Sequence, residues 1–265
     1  WKHRSGTPEH VGFTVQTRDQ WEVFKRQMQA QPPGSMLSVR LPAADAQKEL
    51  SGGLTIASDN GPSLCVIAGP TNEVQALEAK LNARNVVTRP LHTSHAFHSA
   101  MMDPILDAFT MGVRRVQLSP PRIRYISNLT GRWITPQEAT DPAYYARQLR
   151  GTVRFSPGLE VLLSEPDRAL LEIGPSATLS ILAKQHPDPT TKRLILSSLR
   201  GADGAQSDLH CILGTLGRLW LAGCPVRCAA PAASSAATAA SVVSANPPAS
   251  RSDIALPMMP TAPRG

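Results

Sequence analysis

The fold is decided by residues 36–91, which read MLSVRLPAADAQKELSGGLTIASDNGPSLCVIAGPTNEVQALEAKLNARNVVTRPL. Alternating or continuous apolar runs indicate strands, and apolar residues three or four positions apart indicate helices. On these criteria the pattern predicts strand, helix, strand, strand, helix and strand at 36–41, 43–50, 54–57, 64–68, 72–82 and 86–91. The order βαββαβ is that of a ferredoxin-like unit.

The chain after Thr93 alternates helices and strands, which predicts an α/β layer. Helical patterns occupy 101–111, 144–149, 158–163 and 177–185, and strand patterns occupy 123–127, 169–173 and 194–196. Residues 208–222 are predicted to form an amphipathic helix, and we expect its apolar side to pack on this layer. That side consists of Leu209, Ile212, Leu213, Leu216, Leu219 and Trp220. From Ala229 the composition shifts to Ala, Ser and Pro with almost no charge, so we expect residues 229–265 to be a disordered tail.

Composition restricts the function more weakly than the pattern does. With 42% hydrophobic residues, the 265-residue chain is able to build a buried core. A formal charge of +7 predicts an acidic partner, and an acidic carrier protein fits better than nucleic acid because no interleaved aromatic and basic motif occurs. Four scattered cysteines without CxxC spacing indicate a reduced, cytoplasmic location. No apolar stretch reaches the roughly 20 residues that span a bilayer, so no membrane association is expected.

Three histidines, His92, His95 and His98, lie close together before an apolar helix. One interpretation is a metal site, but no Cys, Asp or Glu stands at ligand spacing beside them, and we predict no metal. A second is a general base held at a strand-to-helix turn. A third is three ordinary surface histidines, which the residues alone favour.

The sequence from about Met28 to Val226 resembles the malonyl-CoA acyltransferase domains of type I polyketide synthases. Seven motifs carry the resemblance, in the family's order: MQAQPPGSM (28–36), NGPSLCVIAGP (60–70), HAFH (95–98), SPP (119–121), SNLTG (127–131), LEIGP (171–175) and LGRLWLAGCPV (216–226). The resemblance implies an α/β fold in which the ferredoxin-like βαββαβ small subdomain accompanies the C-terminal part of an α/β-hydrolase-like acyltransferase core, here incomplete.

The resemblance also implies the site. His98 is the general base that activates a serine, which takes the acyl group from malonyl-CoA and passes it to the phosphopantetheine thiol of an acyl carrier protein. Gln148 orients the imidazole through its backbone carbonyl, and Asn128 supports the histidine loop. His95 and Asn60 are placed at the substrate. No tightly bound cofactor is implied.

Phe97 matches the position where malonyl-selective members carry phenylalanine and methylmalonyl-selective members carry serine. We therefore expect malonyl selectivity, although a core aromatic covering the next helix would look the same. Partners implied by the resemblance are the carrier protein and other synthase domains, notably the ketosynthase.

The sequence departs from the family pattern in two places. The family's nucleophile elbow is G-x-S-x-G, and no two glycines here are four residues apart. The arginine that would bind the malonyl carboxylate falls at Phe24, which has no guanidinium to offer. We therefore expect the serine-bearing half to be absent from this chain, and the chain alone to be inactive.

The expected organisation has five parts. They are an unassigned or unrelated segment (1–27), the ferredoxin-like small subdomain (28–92), the C-terminal part of the acyltransferase core (93–200), a post-acyltransferase linker helix (201–228) and the disordered tail (229–265). Two other functions compete with acyl transfer. One is a non-catalytic module that only contacts carrier protein or neighbouring synthase domains. The other is nucleic-acid binding by the ferredoxin-like unit, disfavoured because strands 64–68 and 86–91 lack stacking aromatics.

Overall fold

Residues 35–90 form a four-stranded sheet with two helices. The computed structural model describes residues 31–187, 193–201 and 206–227 and the backbone of Ile254–Ala255. The elements are β1 (Ser35–Val39), α1 (Ala43–Gln47), β2 (Thr55–Gly61), β3 (Leu64–Gly69), α2 (Thr71–Asn82) and β4 (Thr88–Pro90). These strands lie in the order β4-β1-β3-β2 and every neighbouring pair is antiparallel. The predicted ferredoxin-like βαββαβ unit is confirmed.

Both faces of this sheet are buried, which explains the nearly continuous apolar runs in β1 and β3. Leu37 and Val39 of β1 join the cluster formed with α1 and α2. Met36 points to the opposite face, where the cluster includes Ala96 and packs against Phe97. The predicted histidine segment therefore covers the second face of the sheet.

A fifth strand, which the sequence did not predict, extends the sheet at its β2 edge. It is β7 (Val153–Arg154), and it runs parallel to β2. Ser58 is opposite Val153, and Asp59 is opposite Arg154. A segment from the later part of the chain is thus hydrogen-bonded to the small subdomain.

Between β4 and β7 lie short elements around a second core. They are a 3₁₀ helix (Ala100–Ile105), α3 (Leu106–Val113), β5 (Ile126–Ser127), β6 (Arg132–Trp133), α4 (Pro136–Thr140) and α5 (Pro142–Arg150), and β7 is followed by α6 (Phe155–Leu163). Phe109 and Val113 of α3 pack against Tyr144 and Tyr145 of α5. The helix predicted at 101–111 begins as 3₁₀ because Pro104 lacks an amide hydrogen. The strand predicted at 123–127 is confined to its last two residues.

The described residues from Glu165 onward belong to a second compact unit. It contains β8 (Leu170–Glu172), α7 (Thr178–Gln185), β9 (Ile195–Ser197) and α8 (Asp208–Leu221), and β8 pairs with β9 in parallel. The Glu172 carboxylate accepts the backbone N–H groups of Leu179 and Ser180, and so satisfies free donors in the first turn of α7. The LEIGP motif is therefore a strand end that caps the following helix.

Helix α8 packs on this unit with only part of its predicted apolar side. Thr215 and Leu219 are buried, and Thr215 Oγ1 donates to the Ser197 carbonyl at 2.7 Å. Leu209, Leu213 and Trp220, which the periodicity placed on the same side, are 66%, 56% and 67% exposed. The prediction that this side packs on the α/β layer was thus correct for only a narrow stripe of the helix.

The two ends of the chain lie largely outside the described residues. This holds for segment 1–27 and, apart from Ile254–Ala255, for the tail 229–265. Ile254–Ala255 forms β11, which pairs in parallel with β10 (Val226–Arg227). The predictions made for both ends stay predictions.

Candidate active site

His98 occupies a tight turn between β4 and the 3₁₀ helix. Its φ of 59° lies in the left-handed region, which non-glycine residues adopt uncommonly, although histidine does so more often than most. The next residue, Ser99, is fully buried. Its Oγ donates to the Ala96 carbonyl at 2.6 Å and accepts the Met101 N–H at 3.2 Å. These two hydrogen bonds hold the turn that the backbone alone disfavours.

The His98 ring is fixed by two backbone carbonyls. Nδ1 lies 3.1 Å from the Gln148 oxygen and 3.0 Å from the Gly151 oxygen. Carbonyl oxygens only accept hydrogen bonds, so Nδ1 must carry the hydrogen and, in the neutral ring, Nε2 carries the lone pair. Nε2 makes no hydrogen bond to any of the described residues. The arrangement therefore leaves the basic nitrogen available to another group.

The surroundings of His98 act on its pKa in two directions. Burial disfavours the charged ring and is the larger effect, while the carbonyls of Gly151 and Gln148 favour the imidazolium. The net result is a pKa below the usual value of 6.5. A lowered pKa favours the neutral ring, which is the state that a general base requires.

His95 differs from His98 because both of its ring nitrogens are engaged. Nδ1 lies 2.8 Å from Ser94 Oγ, and Nε2 lies 3.2 Å from the Gln31 carbonyl. Since that carbonyl only accepts, Nε2 holds the hydrogen and Nδ1 accepts from the serine hydroxyl. The ring is buried and packs at a tilt on Phe97 with 6.2 Å between centroids. His95 has no free lone pair for base chemistry.

Phe97 lies between two apolar clusters. One is the cluster on the second face of the sheet, with Ala57 and Val66, and the other is the pair Met102 and Ile105 of the 3₁₀ helix. The ring is only partly buried and stands directly before His98 in the chain. Its position is therefore next to the base, whatever its effect on selectivity.

Asn60 and Asn128 contribute in different ways. The Asn60 side chain accepts from Ser58 Oγ at 2.5 Å on β2. The Asn128 side chain is exposed, while its carbonyl accepts the Arg154 N–H at 2.7 Å. Asn128 thus ties β7 to the turn after β5 through its backbone, and its support of the histidine loop stays a prediction.

The structure brings His98, Gln148, Phe97 and His95 together, and it leaves His92 exposed. Sequence reasoning missed Gly151, the second acceptor of the Nδ1 hydrogen. A signal existed, since a glycine after a helix whose last turn holds Arg147 and Arg150 is typical of a helix C-terminus.

No metal site or membrane-spanning element is found in the described part of the chain. Within 31–187, 193–201 and 206–227, no three His, Cys, Asp or Glu side chains come close enough together to hold an ion. Every helix there is too short or too polar to cross a bilayer.

Comparison with known proteins defines the family. The profile described as "Acyl transferase domain" matches residues 22–215. A phenolphthiocerol/phthiocerol polyketide synthase of Mycobacterium tuberculosis is 37% identical over 201 residues, which are 76% of this chain and 14% of that protein. Polyketide synthase GfsA of Streptomyces halstedii is 32% identical over 213 residues, 77% of this chain and 3% of its own length.

Two solved structures give the same result. The acyltransferase domain of SpnD, in complex with 2-(pent-4-yn-1-yl)malonyl, is 37% identical with a TM-score of 0.69, over 72% of this chain and 47% of that chain. The acyltransferase domain from the second module of the salinomycin polyketide synthase is 31% identical with a TM-score of 0.69, over 76% and 47%. The chain belongs to the acyl transferase domain family and is of the polyketide synthase type. It spans about half the length of these domains and a small part of the curated synthases.

Proposed function

We propose that this chain provides the base and the small subdomain for transfer of a malonyl group from malonyl-CoA to the phosphopantetheine thiol of an acyl carrier protein. The observation that carries the proposal is the His98 ring, whose Nδ1–H is held by two carbonyls and whose Nε2 is free of the described residues. A serine hydroxyl is a weak nucleophile at neutral pH and needs such a base.

The proposed chemistry runs through an ester. Nε2 takes the serine proton while the oxygen attacks the thioester carbonyl, and the resulting imidazolium returns the proton to the departing CoA sulfur. The same base then takes the proton of the carrier-protein thiol, whose sulfur attacks the ester, and the imidazolium returns this proton to the departing serine oxygen. The carbonyls of Gln148 and Gly151 stabilise the imidazolium in each half, and they stand at the negative end of α5.

In this proposal the serine comes from residues outside this sequence, because the 265 residues contain no G-x-S-x-G. The chain alone is then inactive. Phe97 gives the preference for malonyl, and Asn60 and His95 belong to the substrate side of the site. The acyl carrier protein and the ketosynthase are the proposed partners, and no cofactor is bound tightly.

The test uses a chain completed with the serine-bearing half of an acyltransferase domain. Malonyl loading of the carrier protein is followed by intact mass. We expect His98→Asn to slow loading by about 10²–10⁴-fold, the usual cost of removing a general base. Asparagine is chosen because it tolerates the positive φ. His92→Asn is the matched control and should be mild.

Two results would count against the proposal. Equal losses for the His92 and His98 variants would show that the proposal names the wrong histidine as the base. A stable malonyl adduct on the 265-residue chain by itself would show that a nucleophile had been overlooked. If the completed chain binds carrier protein but never becomes acylated, the non-catalytic interaction module is the better account.

A further inference from the structure

We propose that Gly151 and Thr152 are positioning residues that hold the His98 ring in one orientation and one tautomer. This inference rests on the proposed function only in naming His98 as the base. Strand β2 contacts both the backbone of His98 and the segment whose Gly151 carbonyl holds the His98 ring.

Gly151 contributes a backbone carbonyl, and its lack of a side chain lets that carbonyl approach His98. Its oxygen lies 3.0 Å from His98 Nδ1 and so shares the ring hydrogen with Gln148. A Cβ added at Gly151 would lie 2.8 Å from the Arg147 oxygen and 2.8 Å from Leu129 Cδ1. The first of these atoms belongs to the helix end, which cannot move aside as a flexible side chain would. Any other residue at 151 must therefore displace the carbonyl that faces His98.

Thr152 anchors this carbonyl to the sheet. Its Oγ1 donates to the Ile56 carbonyl at 2.6 Å, next to the register shift in β2. The following residue, Val153, pairs with Ser58 in the same strand. The residue before Ile56 is Thr55, whose Oγ1 lies 3.5 Å from the His98 carbonyl.

Two adjacent residues of β2 thus touch the two sides of the site. Thr55 contacts the histidine backbone, and Ile56 holds the segment whose carbonyl accepts from the ring. Because both contacts come from one strand, the distance from the His98 backbone to its acceptor is set by the sheet. Loss of the Thr152 hydroxyl frees the Gly151 carbonyl from this anchor without removing any group that touches His98.

The experiment is ¹⁵N NMR of the full 265-residue chain with labelled histidine, in which His98 is identified by the signal that His98→Asn removes. We expect the wild-type ring to be almost entirely the tautomer with hydrogen on Nδ1. Thr152→Val and Gly151→Ala should mix the two tautomers. Each should also lower the pKa of His98, by up to about one unit, since a weakened bond to a charged group and one pKa unit have similar free energies.

Thr152→Ser keeps the hydroxyl and should restore wild-type values. Thr140→Val, which removes a hydroxyl that donates to the Pro136 carbonyl within the short helix α4, is the control for general destabilisation. Near-ultraviolet circular dichroism establishes that each variant is folded. If Thr152→Val is folded and leaves the His98 tautomer and pKa unchanged, the inference is overturned.

A second measurement applies where a variant does not fold in the 265-residue chain. In the completed chain, the acidic limb of the pH profile of kcat/KM reports the pKa of the free base. Thr152→Val should move this limb to lower pH, and Thr152→Ser should not. A fall in kcat with an unmoved limb would mean a merely structural role. If His98→Asn transfers as fast as wild type, the proposed function fails, while the NMR result still decides the positioning role.

Discussion

Tyr144 donates its hydroxyl hydrogen to Ser127 Oγ over 2.7 Å, and both side chains are buried. The same Oγ accepts the N–H groups of Leu129 and Thr130, each at 3.2 Å. Tyr144 stands one helical turn before Gln148, and Asn128 follows Ser127. This contact therefore joins the helix that supplies one carbonyl to His98 with the turn that holds β7.

Ser127→Ala should destabilise the fold more than its size suggests. It leaves a buried phenol and two backbone N–H groups without their acceptor, which costs about 1–3 kcal/mol of unfolding free energy. Tyr144→Phe removes one donor only and should cost about 1 kcal/mol. Urea unfolding measures both, with Thr140→Val, at a half-buried residue, as control. The interpretation fails if Ser127→Ala is no worse than the control.

The stability of the chain should depend on pH through His98. Its folded pKa is lowered by burial, so between that value and the unfolded value near 6.5 the unfolded chain binds more protons. The contribution is fully present above the unfolded pKa and is lost as pH falls through the folded one. We expect the wild type to lose more stability than His98→Asn between pH 7.5 and about pH 5.5. His92→Asn should keep the wild-type slope, and identical slopes for all three would contradict the pKa shift.

Phe97→Ser in the completed chain should relax selectivity rather than invert it. One methyl group is worth only about 1–3 kcal/mol of discrimination in an apolar pocket. Malonyl transfer should also slow, because Phe97 packs on both sides of the turn that carries His98. Equal malonyl-CoA and methylmalonyl-CoA compete for one carrier protein, scored by mass. An unchanged product ratio at a lower rate would make Phe97 a packing residue alone.

The exposed side of α8 should bind the dye ANS. Leu209, Leu213 and Trp220 are each more than half exposed and lie on one side of the helix. Leu213→Lys should lower ANS fluorescence, whereas Val87→Lys, at an exposed apolar residue in the first unit, should not. Equal fluorescence in both variants, together with a sharp thermal transition in a monomer, would show that this surface is not an apolar patch in solution.

The sequence predicted the small subdomain well because its pattern is strong there. Strands β1, β2 and β3 each have at least one buried face, whereas the short β4 has none. Helix α2 places Val74, Leu77 and Leu81 in the core, at the spacing of a helix. Strands β6 and β7 were missed because a two-residue strand has no measurable period. Helix α4 was missed although Thr135 and Glu138 form a capping box, because only one of its residues, Ala139, is buried.

The candidate site was likewise predicted only in part. His98 and Gln148 followed from motifs, and the structure places them 3.1 Å apart at the ring nitrogen and carbonyl. Gly151 was not predicted as an acceptor, because the signal at this position marks only a helix end and does not show that its carbonyl faces a histidine 53 residues before it. The hydrogen bond from His95 Nε2 to the Gln31 carbonyl could not be predicted either, since Gln31 lies 64 residues before His95.

The β2–β7 pairing has a consequence for the order of folding. Ser58 and Val153 are 95 residues apart in the chain, whereas β1 to β4 pair within a much shorter segment. Closing the longer loop has the larger entropic cost, so the βαββαβ unit should assemble first and β7 should dock onto it later. The Gly151 carbonyl reaches His98 only in that late step. During synthesis the small subdomain would therefore be folded for a time while the ring of His98, which follows it in the chain, is not yet held, and the chemistry of the site would mature after the fold.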